Sequence, residues 1–289
     1  MDNAKLLGDS PDPVGNDPHV WGKQWTSRKV YVERDYLDEG KITRRDQLSW
    51  KFQMEHFDTL FARAPGKEVL ECGCGSAIMS VHAALQGFQA TMLDFSPDGL
   101  DLAKANFDAN HVQGKFVLGD VLKLPFPDNS FDVVMSYGLL EHFPDIDAPI
   151  REMVRVLKPS GIFAADIIPK RFSIATLGEI VTSWVRFGNR LKRLQFKNLF
   201  RESRRNFPHY ENNYSIQKYR RALEEAGLKD IVVTGSGLFP QIGLPFGLEG
   251  KIYVPIIKSL RRLEKYFTRS SSRWTDWFGC SWYAHGIKA

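Results

Sequence analysis

Three acids and two glycines mark where this chain could do chemistry. Glu71 ends the short apolar run Glu68-Val69-Leu70 and opens the loop Cys72-Gly73-Cys74-Gly75; Asp94 closes Ala90-Thr91-Met92-Leu93; Asp120 follows Lys115-Phe116-Val117-Leu118-Gly119. Without Cβ atoms, Gly73 and Gly75 let the backbone take positive φ and let a ligand lie directly against it. The helical pattern that follows offers N–H groups with no partner inside the helix. Strand, tight turn and helix in that order make a nucleotide-sized pocket, although a glycine turn alone also serves plain loop geometry. Cys72-x-Cys74 has no second Cys or His pair at ligand spacing, so buried thiols are expected there rather than a metal site.

Those acids must be held by the elements around them. Apolar Leu48, Phe52, Phe57, Leu60 and Phe61 predict a helix over Arg45–Ala62, stopped by Pro65-Gly66. Ile78, Val81, Ala84 and Leu85 mark a second helix, and Ser96-Pro97-Asp98 starts a third with Pro at its first position. Further strands are expected at 115–118, 131–136 and 162–168, with a helix from Ile150 to Leu157 closed by Lys158-Pro159-Ser160-Gly161. Strands alternating with helices at this interval imply right-handed crossovers and a parallel sheet covered on both faces. Ligands bind such sheets at the carboxyl ends of the strands, where Glu71, Asp94 and Asp120 all fall.

The chain of 289 residues has ample apolar content for a core and only three cysteines, Cys72, Cys74 and Cys280, which suits a reducing compartment. No apolar stretch is long enough to span a bilayer and Met1-Asp2-Asn3-Ala4-Lys5 lacks the layout of a secretory signal, so a cytoplasmic location is expected. The net charge of +5 is unevenly spread. Lys170–Arg205 holds ten Lys or Arg against Glu179 and Glu202, and Lys251–Arg273 holds seven against Glu264. Two basic segments on an acidic remainder point to an anionic partner or surface, or to solvated helix faces.

Taken together, the motifs resemble the class I S-adenosylmethionine-dependent methyltransferases, strongly over residues 67–168 and more loosely over 215–289. The resemblance rests on Val69-Leu70-Glu71-Cys72-Gly73-Cys74-Gly75, Asp94, Gly119-Asp120 with Leu124-Pro125-Phe126, Phe131-Asp132-Val133-Val134, and Leu157-Lys158-Pro159-Ser160-Gly161-Ile162. It implies a Rossmann-like, doubly wound α/β fold: a seven-stranded, mostly parallel sheet with the last strand antiparallel, plus helical lid insertions. It also implies S-adenosylmethionine as methyl donor, S-adenosylhomocysteine as product, and cofactor contacts from Glu71, Cys72, Gly73, Gly75, Asp94, Phe95, Ser96, Asp120, Val121, Ser136 and Tyr31. Asp94 lies nineteen residues after Gly75, suited to the two ribose hydroxyls, and Asp120 is suited to the adenine amino group.

Leu140-Glu141-His142 recurs in small-molecule members of that family, which makes His142 the first candidate general base or else a pocket-shaping residue; Tyr210 and His209 are rivals in the insert. Tyr137 and Gly138 stand where some relatives carry a metal-binding Glu, so no metal is expected. The expected organisation is a flexible segment at 1–18, a helical cap at 19–66, the cofactor core at 67–168, a basic insert at 169–214, and a C-terminal part at 215–289 with a second insert at about 236–279. Trp21, Trp25, Tyr31 and Tyr36 either pack outside the core or cap a bound ligand.

Methyl transfer to an anionic small-molecule, glycan or lipid-linked acceptor, with oxygen slightly preferred, is the expectation. An NAD(P)-dependent oxidoreductase is disfavoured by Ile78 at the third glycine position, and a non-catalytic cofactor-binding protein by the intact loop. No nucleic-acid partner is expected. The 254–268 helix, with Ile256, Ile257, Leu260, Leu263 and Phe267 on one face and Lys258, Arg261, Arg262 and Lys265 on the other, is expected to touch an anionic membrane or a substrate. A monomer or homodimer is expected.

Overall fold

A computed structural model of the chain describes residues 17–34, 38, 42–169, 171–192, 210–240, 242–244, 247–269 and 273–289. Tyr36 and His209 lie outside the described residues, as does 1–16 of the expected lead-in. Asp17 accepts the N–H of His19 at 2.7 Å and caps helix α1 (Pro18–Trp25), with Pro18 preset for the first helical turn. Helix α2 (Arg45–Phe61) follows, then β1 (Glu68–Cys72), α3 (Ile78–Leu85), β2 (Gln89–Asp94), α4 (Pro97–Ala109), β3 (Gly114–Leu118), β4 (Phe131–Tyr137), α5 (Asp147–Val156) and β5 (Leu157–Ile167). The chain continues through α6 (Ile174–Lys192), α7 (Ile216–Glu225), β6 (Leu228–Ser236), α8 (Val254–Arg269), α9 (Arg273–Phe278) and β7 (Ser281–Lys288).

The seven strands form one sheet in the order β3-β2-β1-β4-β5-β7-β6. The β1–β2, β1–β4, β2–β3 and β4–β5 pairs are parallel, and β7 runs antiparallel to both β5 and β6. This is the expected mostly parallel, doubly wound sheet with an antiparallel last strand. The chain reverses direction of travel between β3 and β4, which leaves the carboxyl ends of β1, β2 and β4 side by side as a crevice. β5 begins at Leu157 rather than at Ile162, because Lys158-Pro159-Ser160-Gly161 runs as an irregular extension of the strand, with Ser160 at φ 62° and a register break opposite Phe131.

Period-two alternation splits the buried residues between the two sheet faces. Leu70, Cys72, Val134, Phe163, Ala165, Trp282 and Ala284 pack with α5 and α7 through Ile150, Met153 and Tyr219. Val69, Met92, Val133, Met135 and Ala164 pack with α2, α3 and α4 through Phe57, Phe61, Met79 and Phe107. His82 of α3 joins its Nδ1 to Glu33 and its Nε2 to Asp58 of α2, each at 2.7 Å, so the cap segment and two helices share one buried imidazole.

The basic inserts pack differently from the sequence expectation. On α8 it is Val254, Ile257 and Glu264 that are buried, whereas Ile256, Leu263 and Tyr266 are exposed. Arg261 and Lys265 turn toward the body: Arg261 reaches Glu55 of α2 at 3.1 Å and Glu264 at 2.8 Å, and Lys265 reaches Glu55 at 2.8 Å. The face chosen is the one that pairs half-buried Glu55 and buried Glu264, since an unpaired buried charge costs more than an exposed Ile. Leu177, Ile180 and Trp184 of α6 are likewise exposed, while Thr182 is buried and accepts the N–H of Gly243 at 2.8 Å. Leu194 lies outside the described residues.

Phe163 is fully buried between the sheet and α7. Phe163→Ala is expected to lower unfolding free energy by roughly 3–5 kcal/mol in chemical denaturation, the usual range for a large core truncation; a loss below about 1 kcal/mol would show a loosely packed face.

Candidate active site

The loop after β1 holds three left-handed residues in close succession, Gly73 at φ 64°, Gly75 at φ 48° and Ala77 at φ 51°. A Cβ on Gly73 would sit 2.6 Å from Leu139, and one on Gly75 would sit 2.4 Å from the Trp25 ring. Glycine is therefore required at both positions by backbone angle and by space. Asp94, buried at the end of β2, accepts the N–H of Gly75 at 2.7 Å through Oδ2 and that of Ser96 at 2.8 Å through Oδ1. Burial pushes its pKa up to about 6 against the pull of those N–H donors.

Glu71 is committed to the scaffold. Its Oε2 accepts both the N–H and the hydroxyl of Ser80, which anchors α3 to β1 in place of the side-chain cap that Ala77 cannot give. Ser96 caps α4, with its hydroxyl accepting from Gly99 at 3.4 Å. Asp120 is exposed and accepts the N–H of Leu122 at 2.9 Å, beside buried Val121 in the chain, while Phe95 after β2 is half-buried. Ser136, opposite Cys72 in register, is buried and its hydroxyl has no hydrogen-bond partner. Cys72 and Cys74 are buried thiols whose pKa values are pushed up by burial and neighbouring acids. The ring of Tyr31 goes to packing, among Met54, Phe57 and Cys74, while its N–H donates to Asn106 Oδ1 at 2.8 Å.

Helix α1 lies over this cradle. Trp25 covers Gly75 and Gly99, Gly22 rests against Asp98, and Trp21 meets the ring of His142 edge-on with centroids 4.7 Å apart. The Arg28 guanidinium stands over Trp25 at 4.6 Å. Trp21 and Trp25 thus form a cover that touches both the glycine loop and the turn after β4.

That turn, Leu140–His142, carries the remaining candidates. His142 Nδ1 lies 2.8 Å from the carbonyl of Tyr210, which can only accept, so Nδ1 holds the proton and Nε2 of the neutral ring keeps its lone pair. Nε2 is 4.0 Å from Glu141 Oε1. Tyr210 thus reaches His142 through its backbone, not its phenol. Asn212 fastens the turn, donating its N–H to Glu141 O at 2.7 Å and its amide to Leu140 O and Phe143 O, while Tyr219 donates to its Oδ1 at 3.0 Å.

Beside it is a buried acidic group that the motifs did not single out. Gln53 of α2 donates through Nε2 to the Tyr137 hydroxyl at 2.6 Å and to Asp166 Oδ2 at 3.1 Å. Asp166 Oδ1 and Glu141 Oε2 are buried with no hydrogen-bond partner. Burial raises Asp166 to about 7 and, with Asp166 nearby, Glu141 to about 8. Asp166 reads as an ordinary strand residue; only the placement of α2 opposite β5 reveals its partner. Among the described residues no group of three or more His, Cys, Asp or Glu side chains converges as metal ligands.

Comparison with known proteins follows the same lines. Residues 70–165 match the family model described as a methyltransferase domain. The chain is 30% identical over 120 residues to a malonyl-[acyl-carrier protein] O-methyltransferase of Serratia marcescens, covering 42% of this chain and 44% of that protein. It is 32% identical over 136 residues to a fatty-acid O-methyltransferase of Mycolicibacterium smegmatis (46% and 49%), and 40% identical over 111 residues to a demethylmenaquinone methyltransferase of Corynebacterium efficiens (36% and 45%). The match spans under half the length of these relatives. The fold is shared with a SAM-dependent methyltransferase structure from Aquifex aeolicus, with a TM-score of 0.51 at 14% identity, over 94% of this chain and 99% of that one.

The buried acids give the protein a signed pH dependence. Glu71 and Asp166 near 7 and Glu141 near 8 stand above their ordinary 4.5, 3.8 and 4.5, so the folded state keeps protons that the unfolded chain has released. Stability therefore falls as pH rises toward 8. His82, raised by Glu33 and Asp58 despite its burial, acts in the same direction. His56 and His285, lowered by burial to about 3 and about 4, oppose the trend only as pH falls below their ordinary 6.5. The melting temperature is expected to drop between pH 6.5 and 8, and Glu141→Gln to flatten the slope; an unchanged slope in the variant would mean that Glu141 is ionised in the fold.

Proposed function

We propose that residues 70–165, which match the methyltransferase-domain family model, work as a class I S-adenosylmethionine-dependent methyltransferase domain, and that the chain transfers a methyl group to a small-molecule acceptor, with oxygen slightly preferred over nitrogen or carbon. The observation that supports the donor site is the turn in which Asp94 fixes Gly75 while Gly73 and Gly75 leave no room for side chains. The residues fit the donor: a backbone cradle, a buried acid at the end of β2, an exposed acid after β3, and an unpartnered Ser136 hydroxyl between them. In this reading Asp94 accepts from the ribose, Asp120 from the adenine, Val121 and Phe95 flank the ring, and the 73–75 backbone carries the amino-acid end. Tyr31 and Glu71 act by holding the cap and α3 in place.

When bound, S-adenosylmethionine supplies an electrophilic methyl group on a sulfonium centre. The protein's task is then to orient the acceptor, exclude water and take up a proton. We assign the proton to His142 Nε2, whose lone pair is kept by the Tyr210 carbonyl on Nδ1 and whose neighbour Glu141 can share the charge. Trp21 and Trp25 close the site against solvent. Two of the cations behind the expected anionic acceptor, Arg261 and Lys265, are held by Glu55 and Glu264, so the acceptor's charge has to be read from the space around them.

A second reading, peripheral contact with an anionic membrane, draws on the outer faces of the inserts. Most of the exposed large apolar side chains among the described residues lie between Phe172 and Phe278, and on α8 the exposed Ile256, Leu263 and Tyr266 share the helix with exposed Arg262. No described helix is long and apolar enough to cross a membrane.

Calorimetry tests the donor site: S-adenosylhomocysteine is expected to bind, Asp94→Ala to weaken it at least tenfold, and NAD to give no heat. Binding of NAD alone would replace the reading with a dinucleotide enzyme. His142→Ala is expected to keep cofactor affinity within about twofold while abolishing most turnover once an acceptor is supplied. Co-sedimentation tests the membrane reading, with binding expected on anionic vesicles and not on zwitterionic ones; equal recovery on both would remove it.

A further inference from the structure

On the face of the sheet that carries α2, α3 and α4, the half formed by β5, β7 and β6 lies beyond α2, and among the described residues α8 with the turn Glu249–Tyr253 before it forms a roof there. The turn is fixed to the start of α2, where Glu249 Oε2 receives the N–H of Arg45 at 3.4 Å. The guanidinium of Arg261 fixes the other end, 3.7 Å over the Phe52 ring and bound to Glu55. Between roof and floor is a cavity of about 770 Å³, a size that suits a whole small molecule.

One end of the cavity is lined by Tyr137, the last residue of β4, and Ile168, just past β5. This end carries the Gln53–Tyr137–Asp166 hydrogen bonds, and Ile168 and Glu141 both lie beside Gly138, where an added Cβ would meet them at 3.7 and 3.5 Å. The other end runs inward over Thr234, Tyr283 and His285 to the roof at Ile257.

Charge on the walls cancels. Arg45, Arg261 and Lys265 face Asp46, Glu55 and Glu264, and the pairs Arg261–Glu55, Arg261–Glu264 and Lys265–Glu55 are closed. Hydrogen bonds from Lys265 and Arg261 hold the Glu55 carboxyl below its ordinary range even though burial opposes this, so the pairs are ionised and mutually neutralised. The imidazole of His56 stacks on Tyr283 with centroids 4.1 Å apart, and burial keeps His56 and His285 uncharged at neutral pH. The inner wall still offers hydrogen bonds: His285 Nδ1 is buried without a partner, and the Tyr137 hydroxyl, which accepts from Gln53, has its proton to give. A polar atom left bare in a packed wall costs free energy unless a ligand meets it.

We propose that this cavity holds the body of the methyl acceptor, and that the acceptor is an uncharged, largely apolar molecule bearing ring or chain carbon and one or two hydroxyl or carbonyl groups. The assignment rests on the methyl-transfer reading above. It places the acceptor's reactive oxygen at the Tyr137 end, toward His142, and a second polar group at His285. A phosphate or carboxylate head would enter a wall whose cations are already paired and would lose its hydration without compensation.

Fluorescence of N-phenyl-1-naphthylamine, an uncharged apolar probe, tests this on the full chain. Saturable binding is expected, displaced by 1-naphthol but not by tenfold more 1-naphthyl phosphate. Ser49→Trp on α2 and Val232→Trp on β6 each place an indole in the cavity from opposite walls, and both are expected to weaken the probe at least tenfold while S-adenosylhomocysteine affinity stays within twofold. Unchanged probe affinity in a variant that still binds S-adenosylhomocysteine would overturn the cavity assignment. Displacement by the phosphate as readily as by the alcohol would overturn the uncharged class. Loss of S-adenosylhomocysteine binding in the unsubstituted protein, with the probe still bound, would instead remove the methyl-transfer reading and leave a cavity for neutral ligands.

Discussion

The carboxylate of Asp94 receives the N–H groups of Gly75 and Ser96, and much of the site follows from that one arrangement. It ties the loop after β1 to the end of β2, and it starts α4 next to the turn that starts α3. A left-handed backbone at Gly73, Gly75 and Ala77 is unfavourable by itself, particularly at Ala77, and is held only because the surrounding contacts over-determine it. Glu71 adds the second tie through Ser80. The same acid that shapes the turn is thereby placed at the crevice, where the proposed contact with the donor's ribose would fall on it as well.

Burial of carboxyl groups is the common theme of the active end of the sheet. Glu71, Asp94, Glu141 and Asp166 are each nearly inaccessible, and among the described residues none faces a buried cation that would hold it ionised at low pH. Desolvation dominates all four, which keeps protons at the site near neutral pH and gives it acids and bases whose charge a bound cation or a nearby ring can change. The price in stability is distributed over elements pinned by other means: Asn212 on the turn after β4, Gln53 between β4 and β5, and His82 between the cap and α2.

The inserts show how a helix picks its face. α8 carries both an apolar and a basic stripe, and half-buried Glu55 with buried Glu264 draws Arg261 and Lys265 to its side at the expense of Ile256 and Leu263. That choice neutralises the roof of the cavity and leaves apolar side chains on the outside. One packing decision thus sets the polarity of both surfaces of the same helix.

The sequence alone determined the strand and helix order, the glycine turn and the acids at strand ends, because these depend on short-range rules: period-two and period-3.6 burial, proline at helix starts, and glycine where φ is positive. It also located Leu140–His142. Only the tertiary structure decided what those residues do to one another. Glu71 went to Ser80 and Tyr31 to the core, and His142 found the backbone of Tyr210 across 68 residues of chain. Gln53, Asp166 and His285 carry no motif, since their meaning comes from α2 lying across β5 and β7. The inward turn of Arg261 was equally illegible, because a helical stripe records which residues are alike and not which partner waits on the other side.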